Sequence, residues 1–346
     1  MARAKKKKSS GSKLLLTLLV IAGIGLALLY KLFGANTIVT DKGKYLYVHT
    51  GDTYEQLLGQ LHEGGYVADM VSFKLVAQAM KLPEKVHAGR YKIKSGMSSF
   101  DIVRMLRSGM QEPVKLVINK LRTQQDFIRL IATVLEADST DLKTKMADEK
   151  YMSEYGVTPA TAMVMIMPDT YEFFWNTSAD KALRKIYKNH VRFWDDERKS
   201  KAKAQGITLV EATIIASIVE EETNMKSDKP KIASVYLNRV RKGMKLQADP
   251  TVKFGIGDFA IRRVTSAMLQ HNSPYNTYMY AGLPPGPICT PSPGTIDAVI
   301  DAPRTTYLYF CAKDDFSGYS AFASNYEEQI RNAIAYRRAL DKRNIH

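Results

Sequence analysis

Apolar positions along this chain fall into three patterns. The first is continuous: Leu14 to Tyr30 holds seventeen residues without a charge, and Leu32 and Phe33 extend the run past Lys31. At ~1.5 Å of rise per residue, about twenty residues span a bilayer core of ~30 Å, so the run predicts a transmembrane helix over residues 14–33. The second pattern, from 44 to about 118, is short and mixed. Tyr45-Leu46-Tyr47-Val48 predicts a strand, being aromatic or β-branched apart from Leu46. Gly51-Asp52-Thr53 predicts a turn, and Leu57, Leu58 and Leu61 a helix opened by a Thr53/Gln56 capping box. The arrangement recurs: Tyr91-Lys92-Ile93, then Gly96, Ser98, Ile102, Val103 and Leu106, at the same offsets from the glycine. Two strand-turn-helix units in one small α+β domain are expected, although turn-helix starts are common enough for the likeness to arise by chance.

The third pattern, from 119 to 346, is long and predicts a larger mixed α+β domain. Asp126 to Leu135, Ala179 to Trp194 and Leu209 to Thr223 read as helices. Between the first two, Pro168 disfavours a helix across Met165 to Thr177, so that aromatic-rich stretch reads as loop or extended chain. Its rings can pack in a core or line a sugar groove. Ser227-Asp228-Lys229-Pro230 opens another helix, with Ile232, Val235, Tyr236 and Val240 on its apolar face. Tyr307 to Phe310 predicts a buried strand and Tyr326 to Lys342 a basic helix, both read as structural.

Charge changes this picture at the N-terminus. The net charge is +15 over 346 residues, and Arg3, Lys5, Lys6, Lys7, Lys8 and Lys13 precede the apolar run with no acid among them. Such a block marks the cytoplasmic side of a span. The run exceeds the roughly 7–15 residues of a signal-peptide core, and only Phe33-Gly34-Ala35-Asn36 follows, with no small-x-small cleavage site. A retained single-pass anchor in the cytoplasmic membrane is therefore expected, with residues 1–13 as a cytoplasmic tail and the chain after about 34 extracytoplasmic. The remainder is also basic, which suits nucleic acid, acidic lipid or a cell-wall polymer bearing carboxylates. An extracytoplasmic location removes nucleic acid. The two cysteines, Cys289 and Cys311, form no CxxC pair, which excludes a disulfide scaffold. They can pair in an oxidising compartment, but two buried free thiols is the simpler reading. The six histidines show no ligand spacing, and no metal or cofactor is expected.

Candidate chemistry gathers at the end of the Leu209 to Thr223 helix. Ile214, Ile215, Ile218 and Val219 form an apolar stripe, and Glu220, Glu221 and Glu222 follow it. Mutual repulsion and an apolar wall both raise a carboxyl pKa. A glutamate neutral near pH 7 can protonate a leaving oxygen, as glycoside cleavage requires. A solvated acidic helix end would carry the same letters. Downstream lie the polar turn Gln247 to Val252, then Tyr275-Asn276-Thr277-Tyr278, then the Gly/Pro-dense Gly282 to Ile288. A rigid loop beside such side chains suits a sugar clamp, and ordinary structural turns suit it equally well.

In this order and spacing, Ile218 to Thr223, Leu246 to Val252, Tyr275 to Tyr278 and Gly282 to Ile288 resemble the endolytic murein transglycosylase (YceG-like) family, and Pro168 to Tyr171 resembles a further motif of it. The likeness covers nearly the whole chain. One departure is Ala248, where threonine is common. The resemblance implies a LysM-like module over 44–118, a catalytic domain over 119–346, and Glu220, as first of a Glu-x-Glu pair, as catalytic acid. It places the motifs of Gln247, Asp249, Tyr275 and Asn276 near the active-site groove, and these four residues with Glu222 are read as substrate contacts. It implies cleavage of peptidoglycan strands between N-acetylmuramic acid and N-acetylglucosamine with a 1,6-anhydro product, beside penicillin-binding synthases. An internal 6-hydroxyl needs no second carboxylate to activate water. Asp249 as a second carboxylate would instead give muramidase hydrolysis. A non-catalytic wall-binding anchor is the alternative of a different class.

Overall fold

The computed structural model describes residues 10–40 and 42–343; residues 1–9 of the expected basic tail lie outside the described residues. The chain divides into two compact units, one running to Val114 and taking in Glu172–Thr177, the other comprising Lys115–Tyr171 and the chain from Ser178. The fold class is mixed α+β with an apolar N-terminal helix. That helix, α1 (Ser10–Phe33), starts before the predicted residue 14. Its Lys13–Phe33 stretch, of mean hydropathy 2.2, is long and apolar enough to cross a membrane and is not buried by the rest of the chain.

In the first unit, β1 (Lys44–Val48) leads to α2 (Tyr54–Glu63) and α3 (Met70–Ala79), then β2 (Gly89–Ile93) leads to α4 (Ser99–Ser108). The repeated turn-helix starts form as expected. Thr53 and Gln56 close one capping box, and Ser98 and Asp101 the other. The two strands pair antiparallel, Leu46 opposite Tyr91 and Val48 opposite Gly89. Leu57, Leu61, Ile102, Val103 and Leu106 are buried beneath them, each contributing about 1.5–3 kcal/mol of apolar burial. Helix α3 was missed by the sequence reading. Its signal is short: Phe73, Val76 and Ala77 at i, i+3, i+4 behind the N-cap Asp69, whose carboxylate accepts from the Val71 and Ser72 amides.

Next in the chain comes β3 (Val114–Ile118), which pairs with β4 (Asp169–Phe173), so the segment around Pro168 is extended, one of the two forms predicted for it. Between them lie α5 (Gln124–Val134), α6 (Ser139–Ala147), α7 (Glu149–Ser153) and a 3-10 helix, Pro159–Met165. Then follow α8 (Ala179–Phe193), α9 (Asp196–Gln205), α10 (Leu209–Glu222), α11 (Lys229–Arg241), α12 (Asp249–Ile256) and α13 (Pro293–Ile300). A hairpin of β5 (Tyr309–Ala312) and β6 (Ser320–Ala323) and the long α14 (Tyr326–Lys342) complete it.

Helix α10 is the axis of this unit. Every residue from Ala212 to Val219 is buried, rather than one stripe only, because α11 and α13 pack with it into the core. Two expectations are corrected. The stretch from Gln247 to Val252 is not a plain turn: α12 starts inside it at Asp249, with Pro250 in the first turn. The strand expected at Tyr307 to Phe310 begins at Tyr309 and is half-buried. Side chains of α11 take the preceding carbonyls: Asn238 Nδ2 donates to those of Thr305 and Tyr307, and Arg239 Nε to that of Leu308. Cys289 and Cys311 are both free thiols, the first buried and the second half-buried.

Candidate active site

Successive residues on an α-helix leave the axis about 100° apart, so three consecutive glutamates point three ways. Each finds its own partners at the end of α10, and the repulsion expected from their adjacency does not dominate any of them.

Glu220 faces the N-terminal ends of α11 and α13. Its Oε2 accepts from Lys229 Nζ at 2.9 Å, from Ser292 Oγ at 3.1 Å and from Thr295 Oγ1. Lys229 also donates to Thr295 Oγ1 at 2.6 Å. Burial works against the ionised form, but the hydrogen bonds from Thr295 and Lys229, the lysine charge and the Ser292 hydroxyl outweigh it, so the carboxyl lies below its ordinary range. Ser292 is the N-cap of α13, and negative charge there is favoured by the helix dipole. This corrects the expectation of a neutral Glu220: the side chain is a carboxylate tying three helices together.

Glu221 turns to the segment after β3, where Lys120 Nζ lies at 2.7 Å and Arg122 at 3.1 Å. Burial again opposes ionisation, and the two cations prevail, lowering its pKa.

Glu222 is different. Its Oε1 accepts from Tyr236 Oη at 2.6 Å, and none of the described ion pairs involves it. Desolvation pushes its carboxyl up to about 7, with the Tyr236 hydrogen bond opposing and the Asp249 charge adding to the rise. The Tyr236 phenol, itself raised far above its ordinary value by burial and by Glu222, remains the donor. Glu222 thus meets the condition that the sequence reading placed on Glu220, a proton retained near neutral pH.

Glu222 lines a cleft of about 330 Å³ shared with Gln247, Asp249 and Tyr278. Asp249 opens α12, and its Oδ1 accepts from Tyr278 Oη at 2.7 Å. Gln247 sits at the lip with φ +52°, a left-handed conformation uncommon outside glycine. Its backbone donates to the Thr277 carbonyl at 3.1 Å, and the Ala248 amide donates to Thr277 Oγ1 at 3.0 Å. Arg239 binds the Leu246 carbonyl at 2.7 Å. The motifs at 246–252 and 275–278 are therefore one hydrogen-bonded structure, with Ala248 fully buried inside it.

Other expected contacts fall elsewhere. Asn276 is wholly buried, its amide donating to the Leu269 and His271 carbonyls at 3.0 and 2.8 Å while its oxygen accepts from the Tyr278 amide. It shapes the turn and has no reach into the cleft. Tyr275 packs its ring on Phe254 at 4.6 Å and does not line the cleft with Glu222. The Gly/Pro-dense loop braces α10: the Ile288 amide donates to Ser217 Oγ at 3.0 Å, and Gly286 passes so close to the Ala160 carbonyl that a Cβ would collide with it. Sequence reasoning missed Tyr309, Phe310, Tyr326 and Gln329, which also line the cleft. Their aromatic and amide chemistry was visible, but only the fold brings the C-terminal hairpin and α14 to Glu222.

Residues 46–335 match the profile of the YceG-like family. A Bacillus subtilis protein named endolytic murein transglycosylase is 30% identical over 246 residues, 66% of this chain and 67% of that protein. A Streptococcus pneumoniae protein of the same name is 26% identical over 320 residues, covering 83% of this chain, which spans 57% of that relative's length. A crystal structure of a YceG-like protein from Listeria monocytogenes superposes with a TM-score of 0.55 at 25% identity, covering 84% of this chain and 99% of that one. With a profile match running from the first strand into α14, the chain belongs to the YceG-like family.

Proposed function

We propose that this chain is a membrane-anchored lytic transglycosylase that cuts murein glycan strands internally, with Glu222 as its acid. The observation that carries the reading is the Glu222 carboxyl, desolvated to a pKa of about 7 in a cleft rich in polar and aromatic side chains. The names of the relatives supply the substrate class and reaction.

In the reaction, neutral Glu222 protonates the glycosidic oxygen between N-acetylmuramic acid and N-acetylglucosamine, and that C–O bond breaks. Positive charge develops on the muramic sugar, where the Asp249 carboxylate offers compensation. The ionised Glu222 then removes the proton of the same sugar's 6-hydroxyl, whose oxygen bonds to the anomeric carbon and closes a 1,6-anhydro ring. The acid is regenerated and no water is consumed. Gln247, which lines the same cleft, hydrogen-bonds the sugar, and Tyr236, which donates to Glu222, orients it. Glu220 serves as the ionic tie that fixes the end of α10. Asp249 in the same cleft favours one second reading, hydrolysis by a water that it activates.

Residues 44–118 are proposed as a LysM-like glycan-binding module. With α1 in the cytoplasmic membrane and the basic tail inside, the chain after α1 faces the nascent wall, beside the penicillin-binding synthases. Incubation of the purified full chain with sacculi tests the function. Soluble fragments with anhydro ends are expected, one water lighter than the reducing ends of hydrolysis. Pelleting with sacculi and release of nothing would mark a binder.

A further inference from the structure

We infer that α14 and the C-terminal hairpin supply a saccharide subsite of the Glu222 cleft, in which the Tyr326 ring stacks on a sugar face and Gln329 Oε1 accepts the N–H of a 2-acetamido group. This rests on the reading of the chain as a glycan-cleaving enzyme and names residues for recognition of its substrate.

Tyr326 and Gln329 both line the cleft that holds Glu222 and Asp249. They are three residues apart on α14 and so share one helix face. Tyr326 is 65% exposed, large for an aromatic side chain bordering a cleft, so its ring is not spent on core packing. Behind it stands Tyr309, 6.0 Å away ring to ring, which is held in turn by the Arg239 guanidinium 5.2 Å from its centroid. An exposed ring on a fixed support is a platform for an apolar surface that carries polar edges, which describes one face of a pyranose.

Gln329 supplies the polar half. Its Nε2 donates to the Phe310 carbonyl at 3.2 Å. A carbonyl only accepts, so the amide orientation is set by the fold. The Cys311 thiol also lies against this amide. Oε1 is left buried without a hydrogen-bond partner. A buried acceptor in that state is costly until a donor reaches it. An acetamido sugar carries both complements at once, an apolar ring face and an N–H donor, and both sugars of murein carry the acetamido group.

The test uses the purified full chain and two readouts: binding of chitotetraose, with cellotetraose as the sugar lacking acetamido groups, and kinetics on peptide-free murein strands. Tyr326→Ala should weaken chitotetraose binding about tenfold and raise KM with little change in kcat, while Tyr326→Phe retains both. Gln329→Leu should weaken chitotetraose about fivefold and leave cellotetraose unaffected. Thermal melting confirms that each variant folds. Unchanged binding and KM in Tyr326→Ala and Gln329→Leu would overturn the subsite while leaving the enzymatic reading intact. Chitotetraose binding that responds to both variants in a chain that releases nothing from sacculi would do the reverse.

Discussion

Glu220, Glu221 and Glu222 occupy one turn of helix and meet three different environments. The two that are ion-paired lie below the ordinary carboxyl range, and the one with no ion pair among the described residues lies at about 7. Opposite pH signatures follow. A folded-state pKa raised from 4.5 to about 7 means that the native state holds a proton that the unfolded chain has lost, so Glu222 removes stability as pH rises through that window. Glu222→Gln should therefore be more stable than the native chain above pH 7, by up to about 2–3 kcal/mol, and no more stable below about pH 4.5. Thermal melts across pH check this. Glu220→Gln should behave oppositely. It leaves Lys229, 13% exposed, without its carboxylate, and should cost about 3 kcal/mol at neutral pH. Because the depressed pKa of Glu220 contributes stability above the unfolded value, that cost should shrink as pH falls through the folded one. Cleavage should decline above about pH 7 as Glu222 loses its proton. The sequence located the acidic cluster but not the member that keeps a proton, since that depends on Lys229, Ser292 and Thr295 reaching one side of α10 and on Tyr236 reaching the other.

Elements with local signals were legible; those defined by their neighbours were less so. Helices α5, α8, α10, α11 and α14 lie where apolar spacing and caps predicted, and the two capping boxes of the small unit were readable letter by letter. The half-buried character of β5 and the start of α12 at Asp249 were not, because both follow from long-range bonds made by Arg239, Asn238 and Thr277. Asn276 illustrates the cost of reading a motif as a binding surface: its polarity serves two loop carbonyls. The Gly282 to Ile288 loop likewise acts through packing. Gly286→Ala should destabilise the chain by about 2 kcal/mol through the clash with Ala160, measured by denaturant unfolding.

At the scale of the whole molecule, the long apolar α1 was the plainest message of the sequence, and the mixed α+β class followed from the change in apolar pattern along the chain. What the sequence could not convey is the meeting of α10, α12 and α14 around one cleft, since Tyr326 and Gln329 lie more than a hundred positions from Glu222. A chain lacking residues 1–34 should move from the membrane fraction to the soluble fraction and still cleave purified sacculi, since Glu222, Asp249 and Tyr326 all lie in the second unit. The central claim is that the Glu222 proton drives an intramolecular ring closure. Mass spectrometry of fragments released from sacculi by the native chain and by Glu222→Gln tests it most directly. The native chain should yield 1,6-anhydro ends and the folded variant no fragments. Fragments released by Glu222→Gln at the native rate, or native products with reducing ends only, would contradict it.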